Sequence, residues 1–230
     1  MKQNNIVLAI VVYDNSLCFI FGKKKYKKPY QIINYTTFCS AAYQVHDGIL
    51  FNYSLIKNEL LTYIKTHKLY PSFITIIVDN KQLSQNFIVA SQPIRYMSDR
   101  IDDFNYKIQP IHTHYIGPCD EIDHLLCRCT MTNYALLQYQ LLIMPLHIPI
   151  LNIGCPMHSL LYAYQGYKGT TFRLSELVQD IIKHDTNMDT FFTNDMLHRL
   201  IPNVFFQNSI DKKALLLSYG SIMYQESLYG

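Results

Sequence analysis

The sequence predicts an α/β fold, and three observations predict it. Two uninterrupted aliphatic runs, Ile6 to Val12 and Phe73 to Val78, have the pattern of strands buried on both faces. Between them lies a stretch with helical spacing, Leu55, Glu59, Leu60, Tyr63 and Ile64, which is the crossover that two parallel strands of one sheet require. After Gly166 strand patterns fade and helical ones replace them.

The elements follow in order. Asp14-Asn15-Ser16 supplies turn chemistry after the first run, and Leu17 to Phe21 reads as a second strand. Gly22 and the lysine-rich run Lys23 to Pro29 form the next connection, and Tyr30 to Phe38 reads as a third strand, giving an antiparallel meander. A lysine cluster at a hairpin tip is read as a solvated, edge-protecting loop. Val45 to Leu50 reads as a turn leading into a helix that Asn52 or Ser54 caps and that ends before Pro71.

The middle of the chain is more irregular. Phe87 to Ala90 reads as a short strand, Tyr96 to Phe104 as a short helix, and Tyr106 to Ile116 as an alternating strand with His112 and His114 on one face. Gly117-Pro118 turns the chain into a strand from His124 to Met131. Asn133 is placed to cap a helix from Tyr134 to about Met144, and His147 to Ile153 reads as a strand whose Pro149 puts it at an edge or a strand start. Pro156 opens a helix through Tyr164. Leu174 to Ile182, Thr193 to Leu200 and Asp211 to Tyr224 read as helices, the last with Gly220 inside it as a mark of close packing.

Composition narrows the function classes. The 230 residues are 49% hydrophobic and 16% charged, a ratio that favours a packed core over disorder. A formal charge of +3 gives no strong field for direct binding of nucleic acid or of an anionic membrane. No segment reaches the ~20 apolar residues that span a bilayer. The start of the chain lacks a signal-peptide pattern, so a cytoplasmic location is expected, with membrane association only through partners.

The search for chemistry finds little. Neither G-x-x-x-x-G-K-[ST] nor G-x-G-x-x-G occurs, and no G-x-S-x-G, H-E-x-x-H or kinase signature is present. The carboxylate clusters at Asp99 to Asp103 and Asp120 to Asp123 lack the spacing of a calcium loop. Of the six cysteines, Cys127 and Cys129 form a C-x-C pair that alternates with Arg128 and reads as one face of a strand. Neither this pair nor His112 with His114 brings a recognisable full ligand set, so no metal is expected.

The order of elements, with Asp47-Gly48-Ile49 as an "x-D-G-x-I" linker and Ala214 to Met223 as a phrase like "a-L-G-L-A" in the last helix, resembles PilM-type pilus assembly proteins of the actin-like, FtsA-like superfamily. The resemblance covers about residues 5–165 and 212–226. It implies an actin-like, ribonuclease H-like first lobe (1–84), an inserted small α/β subdomain (85–153), and a return helix, reduced and mainly helical second lobe and C-terminal helix (154–230).

The departures from the family matter as much. Where the family's first hairpin carries a D-I-G-S-S-S loop that holds nucleotide phosphate, this chain has Ala9 for the Asp and Val11 for the Gly, as in shortened HofM-like relatives. A valine blocks close backbone approach to phosphate, and no carboxylate is left to organise magnesium. No cofactor, ATP included, and no enzymatic activity are therefore expected. The resemblance implies a scaffold at the base of a type IV pilus or DNA-uptake machine. It would bind the short N-terminal cytoplasmic peptide of a PilN-like inner-membrane protein and contact other pilus or competence assembly proteins. The expected groove involves Asn86, Phe87, Ile88 and Val89 with a neighbouring strand near Tyr115. The alternatives are a divergent actin-like ATPase and a GspL-like cytoplasmic domain of a type II secretion system, a family that normally continues into a transmembrane helix.

Overall fold

The structure is a computed structural model, and it describes residues 6–23, 30–39, 45–90, 108–118, 124–169, 173–184, 190, 193–202 and 212–229. The helix expected at Tyr96 to Phe104, the lysine run after Lys23 and both carboxylate clusters lie outside the described residues. The α/β class holds. Strands β1 (Ile6–Tyr13), β2 (Ser16–Lys23) and β3 (Gln31–Cys39) form the antiparallel meander, and β6 (Phe73–Asp79) and β10 (Ile150–Gly154) add to the other side of β1. The sheet order is β10-β6-β1-β2-β3, with β6 parallel to β1 and β10 parallel to β6.

Strand alternation divides the core in two. Leu8, Ile10 and Val12 of β1 share one apolar cluster with Ile74, Ile76 and Val78 of β6 and with Phe19 and Phe21 of β2. Helices α1 (Tyr53–His67) and α2 (Asn133–Ile143) cover this face through Ile56, Leu60, Ile64, Ala135, Tyr139 and Leu142. Val7, Ala9 and Val11 point the other way, under α3 (Pro156–Lys168), α4 (Leu174–His184), α5 (Asn194–Leu200) and α6 (Lys212–Tyr229). The uninterrupted aliphatic run of β1 is thus explained: every residue from Leu8 to Val11 is fully buried.

Local chemistry sets the ends of the elements. Asp47 and Gly48, at φ 48° and 77°, make the two-residue turn of a small hairpin, β4 (Val45–His46) and β5 (Ile49–Leu50). Positive φ at both central positions is the I′ geometry that Asp-Gly favours. A strand pair therefore precedes the helix where the sequence suggested only a turn. Asn52 caps α1 by accepting from Leu55 N at 3.1 Å, and Lys68 closes it in the left-handed conformation before Pro71. The buried stripe of α1 is Ile56, Leu60 and Ile64, while Leu55 lies outside it at 39% exposure. Thr132 rather than Asn133 caps α2, its hydroxyl accepting from Ala135 N at 3.4 Å.

Between β6 and α2 the chain builds a second sheet from β7 (Leu83–Ala90), β8 (Ile108–Pro118) and β9 (His124–Thr132), ordered β7-β9-β8 and antiparallel throughout. Register shifts between Pro110 and His112 and between Tyr115 and Gly117 interrupt the regular pairing of β8 with β9.

Helices α3 and α6 cross at very short range. A Cβ on Gly220 would collide with the backbone carbonyl of Ser159, so only glycine lets the two backbones meet. This approach brings Ser221 Oγ within 2.6 Å of Thr75 Oγ1, a buried hydrogen bond from α6 to the middle of β6. Gly220→Ala is expected to destabilise the protein by about 1–3 kcal/mol through overpacking. Urea denaturation measures it, and an unchanged midpoint would contradict this packing.

Candidate functional site

Two places bear on function: the turns at the carboxyl ends of β1 and β6, and the outer edge of the inserted sheet. In open α/β sheets ligands bind outside the carboxyl ends of the strands. Here that region is tied up by the chain itself. The β1–β2 connection is the two-residue turn Asp14-Asn15. The Asp14 carbonyl accepts Gly48 N at 2.9 Å, and its Oδ1 accepts Lys81 N at 2.9 Å. Lys81 Nζ donates to Asp47 Oδ1 at 2.7 Å, and Gln82 Nε2 donates to the Asp47 carbonyl at 3.0 Å. The Lys81 ammonium holds the Asp47 carboxyl below its ordinary range, chiefly by that hydrogen bond.

Half-buried and buried side chains complete the junction. Asn80 Nδ2 donates to the Val12 carbonyl and to Tyr139 Oη, both at 3.0 Å, and Tyr139 in turn donates to the Gly48 carbonyl. Burial pushes the Tyr139 phenol up to about 12. Thr132 at the end of β9 donates to Gln82 Oε1 at 3.0 Å. Three turns and the N-terminus of α2 are thereby locked into one hydrogen-bonded junction at the root of the inserted sheet. On the other side of β6, Lys213 Nζ of α6 meets Asp79 Oδ2 at 3.0 Å.

Ala9 and Val11 lie within β1, paired with Ile20 and Cys18 and fully buried beneath α3 and α6. They are packing residues of the sheet, five and three positions before the turn at Asp14.

The groove residues are placed as follows. Asn86, Phe87, Ile88 and Val89 lie on β7, an outer strand of the inserted sheet. Phe87 turns inward onto the core, Asn86 is exposed, and Val89 is 56% exposed. Tyr115 lies on β8 and is not the neighbour of β7 that the sequence suggested. Strand β9 runs between them, and Ile88 and Tyr115 both pair with Leu126 from opposite sides. The physical reason is the chain path: β9 returns antiparallel to both and takes the centre.

The two outer strands differ in chemistry. β8 carries Pro110, Pro118 and two register shifts, features that blunt an edge. β7, Leu-Ser-Gln-Asn-Phe-Ile-Val-Ala, has no charge, proline or register shift, and among the described residues no strand pairs with its outer edge. Gln85 anchors it from within, its Oε1 accepting Met157 N of α3 at 3.1 Å.

Sequence reading missed one group. Cys155, at the junction of β10 and α3, meets Cys127 and Cys129, and the three sulfurs lie within 4.8 Å of one another. Nothing in the spacing of residues so far apart announces this; only the packing of β9 of the inserted sheet against the junction of β10 and α3 brings them together.

No protein-family model matches the sequence, and no curated protein matches it. Among solved structures, a chain of a PilM–PilN type IV pilus biogenesis complex aligns with a TM-score of 0.55 at 9% identity, over 70% of this chain and 50% of that one. This protein thus spans about half the length of the chain it matches. RuvC of Thermus thermophilus aligns at 0.45 and 10% identity over 96% of each chain. The cytoplasmic domain of EpsL, an inner-membrane component of the Vibrio cholerae type II secretion system, aligns at 0.40 and 5% identity over 68% of this chain and 58% of that one. At such identities the first likeness shows a shared α/β fold. No helix among the described residues is long and apolar enough to cross a membrane.

The junction predicts a pH dependence. Tyr139 is neutral in the fold to about 12, against 10.0 in the unfolded chain. Its contribution is therefore complete below pH 10 and lost as pH rises from there to about 12. Tyr139→Phe is expected to cost about 1–3 kcal/mol at neutral pH by leaving the Gly48 carbonyl unpaired, and to flatten the alkaline loss. Thermal melts across that range check both; an alkaline slope equal to that of the unmodified protein would contradict the role of Tyr139.

Proposed function

We propose that this chain is a non-catalytic scaffold of a type IV pilus or competence machine, built on an actin-like first lobe. In this reading it binds the short N-terminal cytoplasmic peptide of a PilN-like inner-membrane protein along β7. The carrying observation is the outer edge of β7, with which no strand among the described residues pairs and whose backbone is a template for an added strand. Main-chain hydrogen bonds supply affinity in such a mode, and side chains along the strand supply specificity. The likeness to the PilM–PilN chain supports the choice of partner.

The turn junction supports the non-catalytic part. The turn at Asp14-Asn15 already takes up the backbone N–H groups of Gly48 and Lys81, so those two do not serve as a cradle for phosphate. Ala9 and Val11 supply neither carboxylate nor open backbone. The protein would then act in the cytoplasm, held at the inner membrane through its partner.

Isothermal titration of the chain with the N-terminal cytoplasmic peptide of a PilN-like inner-membrane protein from the same organism tests this reading. One peptide should bind per chain. Val89→Asp should weaken binding roughly tenfold or more while changing stability by less than about 0.5 kcal/mol. Ile33→Asp, an exposed position on the outer strand β3 of the main sheet, should leave affinity unchanged. No binding of the peptide overturns the proposal, and heat from Mg-ATP instead favours a divergent actin-like ATPase.

A further inference from the structure

We infer that Cys127, Cys129 and Cys155 form a binding site for a soft monovalent metal ion, Cu(I). Cys127 Sγ lies 4.0 Å from Cys129 Sγ and 3.9 Å from Cys155 Sγ. An ion about 2.3 Å from each of three thiolates, the usual metal–sulfur bond, sets the sulfurs about 4.0 Å apart. The triangle therefore needs little rearrangement to close around one ion.

The elements that carry the sulfurs are rigid. Cys127 and Cys129 project from one face of β9, which is held between β7 and β8. Cys155 is the N-cap residue of α3, a helix of 13 residues, and makes no side-chain capping bond. The N-terminal backbone dipoles of that helix favour a thiolate at this position. Pro156 fixes the first turn, and Gln85 of β7 binds the next free N–H, at Met157.

The surroundings select the ion. Leu83, Phe87, Ile116 and Met157 pack around the cluster, and all three thiols are fully or almost fully buried. Among the described residues no histidine or carboxylate joins the group, so the four-coordinate set that structural zinc takes is not assembled. Three sulfurs in an apolar shell with a thioether close by suit a soft, monovalent ion. Cu(I) enters with no change of oxidation state, and each thiol that becomes a thiolate gives its proton to solvent.

The full chain, purified under reductant without oxygen, is titrated with Cu(I) against a chromophoric Cu(I) chelator. It should capture one equivalent, and copper-edge X-ray absorption should show three sulfur neighbours. Cys127→Ser and Cys155→Ser should each weaken binding roughly 100-fold or more, since loss of an outer-shell partner alone costs up to that much. Cys18→Ser, at a buried thiol outside the cluster, should leave affinity unchanged. The inference fails if the chelator keeps the copper, if Cys18→Ser weakens binding as much as Cys155→Ser, or if equimolar zinc displaces the ion. It also fails if mass spectrometry finds a Cys127–Cys155 disulfide in the protein as purified from cells. Should the serine variants not fold, the copper-edge spectrum of the unmodified chain decides, and fewer than three sulfurs overturns the site.

Discussion

Everything in this protein depends on burying β1 on both faces. A strand that reads Ile-Val-Leu-Ala-Ile-Val-Val has no polar side to show water, so it needs a partner strand on each edge and a layer on each face. The chain supplies β2 and β6 as edges, α1 and α2 as one layer, and α3 and α6 as the other. The second layer is drawn in closest, and it is there that small residues gather: Ala9, Thr75, Ser159, Gly220 and Ser221 let α6 lie against both α3 and the sheet. Ala9 and Val11 belong to this packing surface.

The same constraint bears on where the proposed binding surface lies. With β1 sealed and its end turn occupied by Gly48, Lys81 and Asn80, the polar junction below the inserted sheet serves as a rigid base. At the margin of the insert, the outer edge of β7 has no strand paired with it among the described residues. The contrast between its two outer strands separates an edge that is blunted by prolines and register shifts from one that is left plain. A natural protein that leaves an uncharged edge unguarded risks aggregation unless another chain covers it.

Much of the main sheet was legible in the sequence because its signals are local and strong. The aliphatic runs at β1 and β6, the turn chemistry at Asp14-Asn15 and Asp47-Gly48, and Pro156 at the start of α3 each act within a few residues. What was not legible is non-local. The placement of β9 between β7 and β8, which separates Tyr115 from Ile88, depends on the path of the returning chain, and alternation within a strand carries no information on which neighbour it takes. The meeting of Cys155 with Cys127 and Cys129 is likewise a product of tertiary packing. Thr132 displaced Asn133 as the α2 cap because both residue types cap well and only the backbone geometry at the end of β9 decides between them.

The central claim is that the outer edge of β7 receives a partner strand, and amide hydrogen exchange tests it most directly. Exchange is followed by mass spectrometry on the full chain with and without the PilN-like N-terminal peptide. The account predicts slowed exchange confined to β7, between Gln85 and Val89, with the turn at Asp14-Asn15 unchanged. Protection at that turn on addition of Mg-ATP, with none on β7 when the peptide is added, would contradict it.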